Sequence, residues 1–300
     1  MGVTDPLTEH FERERRGLLA HSYRMLGTWD EAEDAVQEAY LRAFQAWPGF
    51  QERSSTRTWL FRIVTNVCLT ALRGRGRRAL PAGLAADGSA AWIQPVPTSL
   101  VDPETAAVAR EGVRLAFVAG LRHLPARQRA VLLLREVLAF PAAEVALTLG
   151  MSVAAVKSAL QRARARLAEV APSPEQVTEP PDGRTRELLA RYMAAWEHAD
   201  PVALERVLRT DAVLDLVPSG DHARGRAACL ALAAPSMDGG WRMAPTGANG
   251  QPAALAWWHG EPFGVAVLTP AAGGVAAVTV FADPALVARF SAADVPAAGA

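Results

Sequence analysis

Two proline-rich stretches without periodicity constrain this chain most, because neither can carry a core and each ends the fold before it. "LPAGLAADGSAAWIQPVPTSLVDPE" begins at Leu80, and "APSPEQVTEPPDG" begins at Ala171. They divide the 300 residues into a helical block over 8–79, a linker over 80–109, a second helical block over 110–171, a short linker over 172–181 and a segment of mixed texture over 182–290. Hydrophobic residues make up 50% of the chain, enough for a core in each block. No apolar run reaches the ~20 residues that span a bilayer, and the first residues are charged rather than apolar. The expectation is a cytoplasmic protein with no membrane partner. Cys68 and Cys229 lie far apart without metal-type neighbours, so they read as inert core thiols, and neither a metal nor a cofactor is expected.

The formal net charge is +0, but it is a cancellation. Residues 110–168 carry ten basic and three acidic side chains, whereas 169–300 carry nine and fifteen. The 80–109 linker carries three acidic side chains and no basic one. A basic middle block suits a polyanionic partner.

Within 8–79, Val36, Tyr40, Ala43 and Trp47 recur at helical steps, as do Leu60, Val64, Val67 and Ala71. "WPGFQERSS" breaks the pattern, and Ser54, Ser55 and Thr56 are placed to cap the next helix. In "DEAEDAVQEAYLRAF" the face opposite the buried stripe holds Asp34, Glu38, Leu41 and Gln45, with Gln37 beside it. An outward leucine among acids suits docking onto a basic partner helix. An ordinary solvated face is the plainer alternative from this stretch alone. "RSSTRTWLFRIVTNVCLTALRGRGRR" then brings seven arginines and no acid. Trp59, Arg62, Asn66, Thr70 and Arg73 share one helical stripe, followed by Arg75, Arg77 and Arg78. An aromatic ring, an amide and cations together suit single-stranded DNA, whose bases stack and expose their edges. Trp59 reads equally well as a core anchor.

"PAAEVALTLGMSVAAVKSAL" has the layout of a helix-turn-helix. Ala146 is small where two helices cross, Gly150 frees the turn, Met151 plugs beneath it and Ser152 caps the second helix. Val145, Leu149, Val156 and Ala159 close the seam. Lys157, Ser158, Gln161, Arg162, Arg164 and Arg166 then lie on or beyond the outward face of the second helix, with cations for phosphates and polar groups for base edges. The alternative is a basic face on an ordinary helical hairpin.

The segment 182–290 opens with an amphipathic helix carrying Leu189, Met193 and Trp196 on one face. β-like runs follow: "AVLDLV", "LAWWHG", "FGVAVLT" and "GVAAVTVF". This order predicts an α+β domain with a curved antiparallel sheet. Candidate pocket residues are Tyr192, Trp196, Asp215, Trp241 and Trp257, with His222, Trp258 and His259 beside them. Asp215 sits in an alternating strand and His222 in a loop-like "SGDHARG", so structural roles are favoured and no catalytic set is assigned.

In order and spacing, the acidic helix, the "TWLFRIVTNVCLTALR" helix and the helix-turn-helix resemble the sigma-70 family of bacterial transcription initiation factors. They are most similar to its extracytoplasmic-function group, which keeps only sigma regions 2 and 4. The resemblance covers about residues 9–171. It implies that Asp34, Gln37, Glu38 and Leu41 dock on the β′ clamp helices of core RNA polymerase, with the β flap as a further partner surface. It also implies that the Trp59–Asn66 stripe and its basic extension handle the melted −10 element of promoter DNA, and that Ser152–Arg166 reads the −35 element. The linker would thread through the polymerase. The last segment resembles SnoaL-like members of the NTF2-like superfamily, cone-shaped α+β domains with a pocket. That implies a regulatory extension, with room for a small ligand that nothing in the sequence names. The expected architecture is therefore two all-α domains followed by an α+β cone. Two other readings stay open: a ligand-responsive helix-turn-helix regulator acting without polymerase, and an enzyme tethered to a DNA-binding module. The docking helix and the Trp59–Arg78 region count against the first, and the missing catalytic set counts against the second.

Overall fold

The apolar periodicity of the first block becomes three packed helices: α1 (Pro6–Leu26), α2 (Trp29–Ala46) and α3 (Thr56–Arg75). In this computed structural model the described residues are 6–51, 54–75, 93–100, 115–170 and 182–293. Val36 and Ala43 of α2 and Leu60, Val64 and Val67 of α3 are buried as their spacing predicts. Ala71 is exposed instead, because the last turn of α3 runs beyond its neighbours. Ser55 caps α3, its Oγ accepting from Thr58 N at 3.1 Å. His21 is buried against Phe61 and shares a 2.9 Å hydrogen bond with Thr65, and burial lowers its pKa to about 3.

The second block holds α4 (Leu115–Arg122), α5 (Ala126–Leu132) with a π-helical turn to Val137, α6 (Ala142–Leu149) and α7 (Val153–Val170). The helix-turn-helix forms as its residues require. Gly150 takes the left-handed conformation at φ 62°, and Ser152 Oγ accepts from Ala155 N at 3.1 Å. Val145, Ala146, Leu149, Val156 and Ala159 are all buried, and Met151 is half-buried beneath the turn. The two helical blocks form one unit, comprising Met1–Gln94 and Leu100–Ala171. Buried Arg129 of α5 holds them together by donating to Leu121 O at 2.9 Å and to Met25 O at the end of α1. A guanidinium carries enough donors to satisfy several orphan carbonyls at helix ends. Phe61 of α3 meets Phe140 edge-on, Arg57 lies over both rings, and Thr58 donates to Glu144 of α6 at 2.8 Å.

The second unit comprises Pro95–Ser99 and Pro172–Ala300. Two helices, α8 (Asp182–Glu197) and α9 (Pro201–Val207), precede β1 (Leu208–Val217), β2 (His222–Arg224) and α10 (Arg226–Ala233). β3 (Trp241–Ala248), β4 (Gln251–Trp258), β5 (Glu261–Ala271), β6 (Gly274–Phe281) and α11 (Pro284–Ala293) complete it. Asp200 caps α9 through Val202 N and Ala203 N. The sheet order is β2-β1-β6-β5-β4-β3. The predicted antiparallel sheet is thus mixed, since β1 runs parallel to β6. Two further strands come from stretches that carried no strand prediction: β2 in the loop-like "SGDHARG", and β3. One sheet face packs on α8, α9 and α10 around Tyr192, Trp196, Leu214, Leu268 and Val278. Phe290, Leu286 and Val287 of α11 are buried, and that helix packs on β5.

The 80–109 linker contains order that its composition does not suggest. Ile93 and Val96 are buried. Gln94 belongs to the first unit, where its backbone N donates to Gly27 O at 3.1 Å and its Oε1 accepts from Trp29 N at 3.2 Å. Residues 95–99 belong to the second and extend the edge of β3, with a bridge between Pro97 and Ala248. Asn249 N donates to Val96 O at 2.9 Å, Asn249 Oδ1 accepts from Val96 N at 3.0 Å, and Gly250 N donates to Thr98 Oγ1 at 3.0 Å. Asn249 and Gly250 have φ of 54° and 70°, the pair of left-handed residues a tight hairpin demands. Gly247 has no room for a side chain, because a Cβ there would meet Thr98 Oγ1 at 2.9 Å. The same edge is guarded elsewhere by Glu197, whose Oε1 accepts from Met243 N at 2.8 Å, and by Pro245, which has no N–H to offer.

Candidate nucleic-acid and polymerase interfaces

Helix α2 buries its alanine stripe against α1 and α3 and turns the other face to solvent. Asp34, Gln37, Glu38 and Leu41 are all exposed on it. Leu41 is 57% exposed and so is Phe44, one helical turn on. Phe44 went unnoticed in the sequence, although its spacing of three from Leu41 marks the same face. Glu38 pairs with Arg42 at 2.8 Å, an exposed i,i+4 contact worth little. Two large apolar side chains left in water among acids are not what a helix with an adequate buried stripe needs for folding.

On α3 the predicted stripe is real. Arg62, Asn66, Thr70 and Arg73 are exposed along one face, with Arg73 donating to Thr70 Oγ1 at 3.0 Å. Trp59, at the head of the stripe, is half-buried, so neither sequence reading is complete. Its ring lies 4.9 Å from Phe50 and 5.8 Å from Trp47, which itself stacks on Phe50 at 5.3 Å. The "WPGF" break therefore builds an aromatic platform that periodicity alone did not reveal. Arg77, Arg78 and the side chain of Arg75 lie outside the described residues.

On α7, Lys157, Ser158, Gln161 and Arg162 project into solvent from the frame that buried Val156, Ala159 and Ala163 fix. Ser152 is engaged in the cap. Arg164 pairs with Glu136 at 2.8 Å and Arg166 with Glu169 at 2.8 Å. The cations of this helix thus divide into a solvated group near its start and a paired group farther on.

In the second unit the candidate pocket residues separate. Tyr192, Trp196 and Trp241 come together, with ring centroids 6.3 Å and 5.5 Å apart. Asp215 and Trp257 do not join them. Asp215 alternates with the core-facing Leu214 and Leu216 and bonds His222 Nδ1 at 2.5 Å on an exposed surface. Trp257 lies under Arg242, whose guanidinium carbon is 4.8 Å from the ring centroid. Asp238 accepts from Gly240 N at 2.9 Å and shares a 2.9 Å bond with His259 Nε2, and these bonds lower its pKa to about 2. A Cβ on Gly240 would meet the exposed His259 ring at 2.5 Å, so a substitution there would have to displace that ring from Asp238. Among the described residues no group of three or more His, Cys, Asp or Glu is placed to hold a metal ion, and no single helix is long and apolar enough to cross a membrane.

An exposed acidic–apolar helix, an aromatic–arginine helix and a helix-turn-helix in this order define a transcription initiation factor of the sigma-70 class. The Sigma-70 region 2 model matches residues 10–78, and the Sigma-70, region 4 model matches residues 114–167. The chain is 44% identical over 308 residues to the ECF RNA polymerase sigma factor SigG of Mycobacterium tuberculosis, covering 95% of this chain and 83% of that protein. It is 34% identical over 205 residues to SigJ of the same organism, covering 67% of this chain and 62% of that one. The crystal structure of SigJ superimposes with a TM-score of 0.65 at 25% identity, over 96% of this chain and 100% of that one. The chain belongs to the ECF RNA polymerase sigma factors. These relatives are regulatory proteins rather than enzymes, and the α+β unit completes the expected architecture.

Proposed function

We propose that this sigma factor docks on core polymerase through Asp34, Gln37, Glu38, Leu41 and Phe44, and that its C-terminal unit modulates initiation by holding the linker. The solvent-facing Leu41 and Phe44 carry the docking part of the reading, because only a partner surface gives them an apolar environment. The acids around them match a basic partner such as the β′ clamp helices, and region 4 is left to meet the β flap. Trp59 with its aromatic neighbours and Arg62, Asn66, Thr70 and Arg73 would hold unpaired −10 bases. Lys157, Ser158, Gln161 and Arg162 would read the −35 duplex, with Arg164 and Arg166 contributing phosphate contacts once their carboxylate partners yield. Affinity then comes mainly from polymerase, and each DNA reader need be only moderately basic.

The regulatory part rests on the segment 95–99, whose backbone is bound to the Asn249–Gly250 hairpin of the C-terminal unit. A linker held there is not free to follow a different path between regions 2 and 4. The test is promoter-dependent transcription with purified core polymerase and a genomic promoter pool, comparing the full chain with one ending near Ala171. Initiation by both, with a changed ratio, supports both parts of the reading. Initiation by neither, with duplex binding by the full chain alone, would return the molecule to a polymerase-independent regulator.

A further inference from the structure

We infer that the first turn of α7 selects thymine in the −35 duplex by its methyl group, through Val153 and Ala154. That role rests on the reading of α7 proposed above. At 3.6 residues per turn, the buried Val156, Ala159, Leu160 and Ala163 fix the inner side of the helix. Ala154, Ser158 and Gln161 lie directly opposite, and all three are exposed. The long cations stand at the flanks, Lys157 and Arg164 on one side and Arg162 on the other. Short side chains along the centre let the helix sit deep in the major groove, with the longer ones spanning the groove on either side.

The chemistry of that central line changes along its length. Ser158 and Gln161 carry hydrogen-bonding groups, but at the start of the helix Ser152 is turned to its own backbone, its Oγ accepting from Ala155 N at 3.1 Å. Val153 and Ala154 follow it and present only methyl groups to solvent, Val153 at 40% exposure. Val153 stands one turn before Lys157 and Ala154 one turn before Ser158, so both prolong the reading face. The first turn also lacks the acids that favour the positive end of a helix, as a surface facing phosphates must. Of the base edges in the major groove only thymine's offers an apolar group, its C5 methyl. Against any other base the same side chains would desolvate a donor or an acceptor and give it no partner. A lone exposed apolar residue needs no explanation. Two adjacent ones at the leading end of a DNA-reading helix match that methyl.

The test uses holoenzyme assembled from core polymerase and the full chain, on a promoter recovered from the genomic pool. Each −35 thymine, on either strand, is replaced in turn by deoxyuridine, which removes the methyl and leaves pairing intact, and promoter binding is measured by competition. The expected result is a loss of about threefold to fivefold at one position or two adjacent ones, the worth of one buried methyl. Thymines of the spacer should show none. Because the contact is apolar, that ratio should hold as salt rises, while overall affinity falls steeply. Val153→Thr combined with Ala154→Gly exchanges one methyl for a hydroxyl and removes another, and should bind thymine and uracil promoters alike. If circular dichroism shows that variant to be misfolded, the parent chain decides the matter. Cytosine at the sensitive position should weaken its binding, and 5-methylcytosine should recover part of the loss. Uracil tolerated at every −35 thymine, an element without thymine, or no gain from 5-methylcytosine would overturn the methyl contact. An equal uracil penalty in parent and variant would do the same, by placing the methyl against another side chain or in the stiffness of the duplex. Initiation that ignores the methyl sinks this contact alone, whereas no initiation by the parent on any promoter sinks the polymerase reading and the contact with it.

Discussion

The two units carry their candidate sites on opposite kinds of surface. In the first, Leu41, Phe44, Arg62, Asn66, Lys157 and Arg162 stand on helix faces turned to water, each supported by a buried stripe beneath. In the second, Tyr192 and Trp196 stand inside, continuous with the side chains that hold the domain together. An outward site can change with little cost to folding, because exposed substitutions shift stability by only about 0.5 kcal/mol. An inward site cannot, since each lining residue is also core. Binding and stability should therefore come apart in the first unit and move together in the second.

The largest expected effect tests that separation. Replacing both Leu41 and Phe44 by glutamate should reduce polymerase-dependent initiation by roughly a hundredfold or more, the size of losing a central interface anchor. The urea midpoint of the folded chain should stay within experimental error of the parent. A large drop in stability would show that these side chains serve the fold after all.

The helix-turn-helix offers a finer division within one surface. Arg162→Ala should cost about 1–3 kcal/mol of −35 discrimination, read as relaxed preference at one or two base positions. Lys157→Ala should weaken all sequences alike and lower the salt slope of binding by about 1. Arg164→Ala should do less than either, because that guanidinium already has Glu136 as a partner. Identical profiles for all three would collapse the distinction between base reading and phosphate contact.

What the sequence made legible follows the same divide. Function on a helix exterior breaks a pattern: a leucine among acids, or cations along one stripe of an apolar helix, is visible as an exception to period 3.6. Gly150 and Ser152 were readable because a left-handed turn and a cap restrict residue choice. Phe44 belongs to the same exception, three residues on from Leu41 and on the same face. The inward cluster breaks no pattern, since Trp196 looks like any core aromatic. Asp215 and Trp257 were grouped with it because a one-residue offset in a strand reverses the face, and register is not written locally. β3 was obscured by Pro245 and by the small Gly247 and Ala248, although Asn249–Gly250 is a strong hairpin signal. The order at Val96 depends on a hairpin over 150 residues away, and no local composition could announce it.

Acid should probe His21, a buried titratable group of the first unit that its proposed interfaces do not use. The folded pKa of His21, about 3, lies below its ordinary value of 6.5. The unfolded chain therefore binds the proton first, and stability falls as pH drops below 6.5 towards 3. Between pH 7 and pH 5 the loss from this group should be about 2 kcal/mol, seen by urea titration of the parent. His21→Gln, which retains a hydrogen-bonding group near Thr65, should flatten that dependence. An unchanged slope would assign the acid sensitivity to carboxylates instead.

The smallest expected effect is at the linker, where inside and outside meet. Asn249→Gly keeps the left-handed turn, since glycine accepts φ 54° without strain, and removes the Oδ1 that accepts from Val96 N. The cost should be about 1–2 kcal/mol to the C-terminal unit, because the Val96 N–H is left buried without its acceptor. Thr98→Val should cost less, since the Gly250 N–H it leaves behind is exposed and can turn to water. If holding the linker restrains initiation, both variants should raise transcription from a matched promoter, Asn249→Gly by more. If it helps to assemble the promoter complex, both should lower it in the same order. A stability loss in Asn249→Gly with no change in transcription would make the hairpin a structural clasp alone and leave modulation to some other surface of the C-terminal unit.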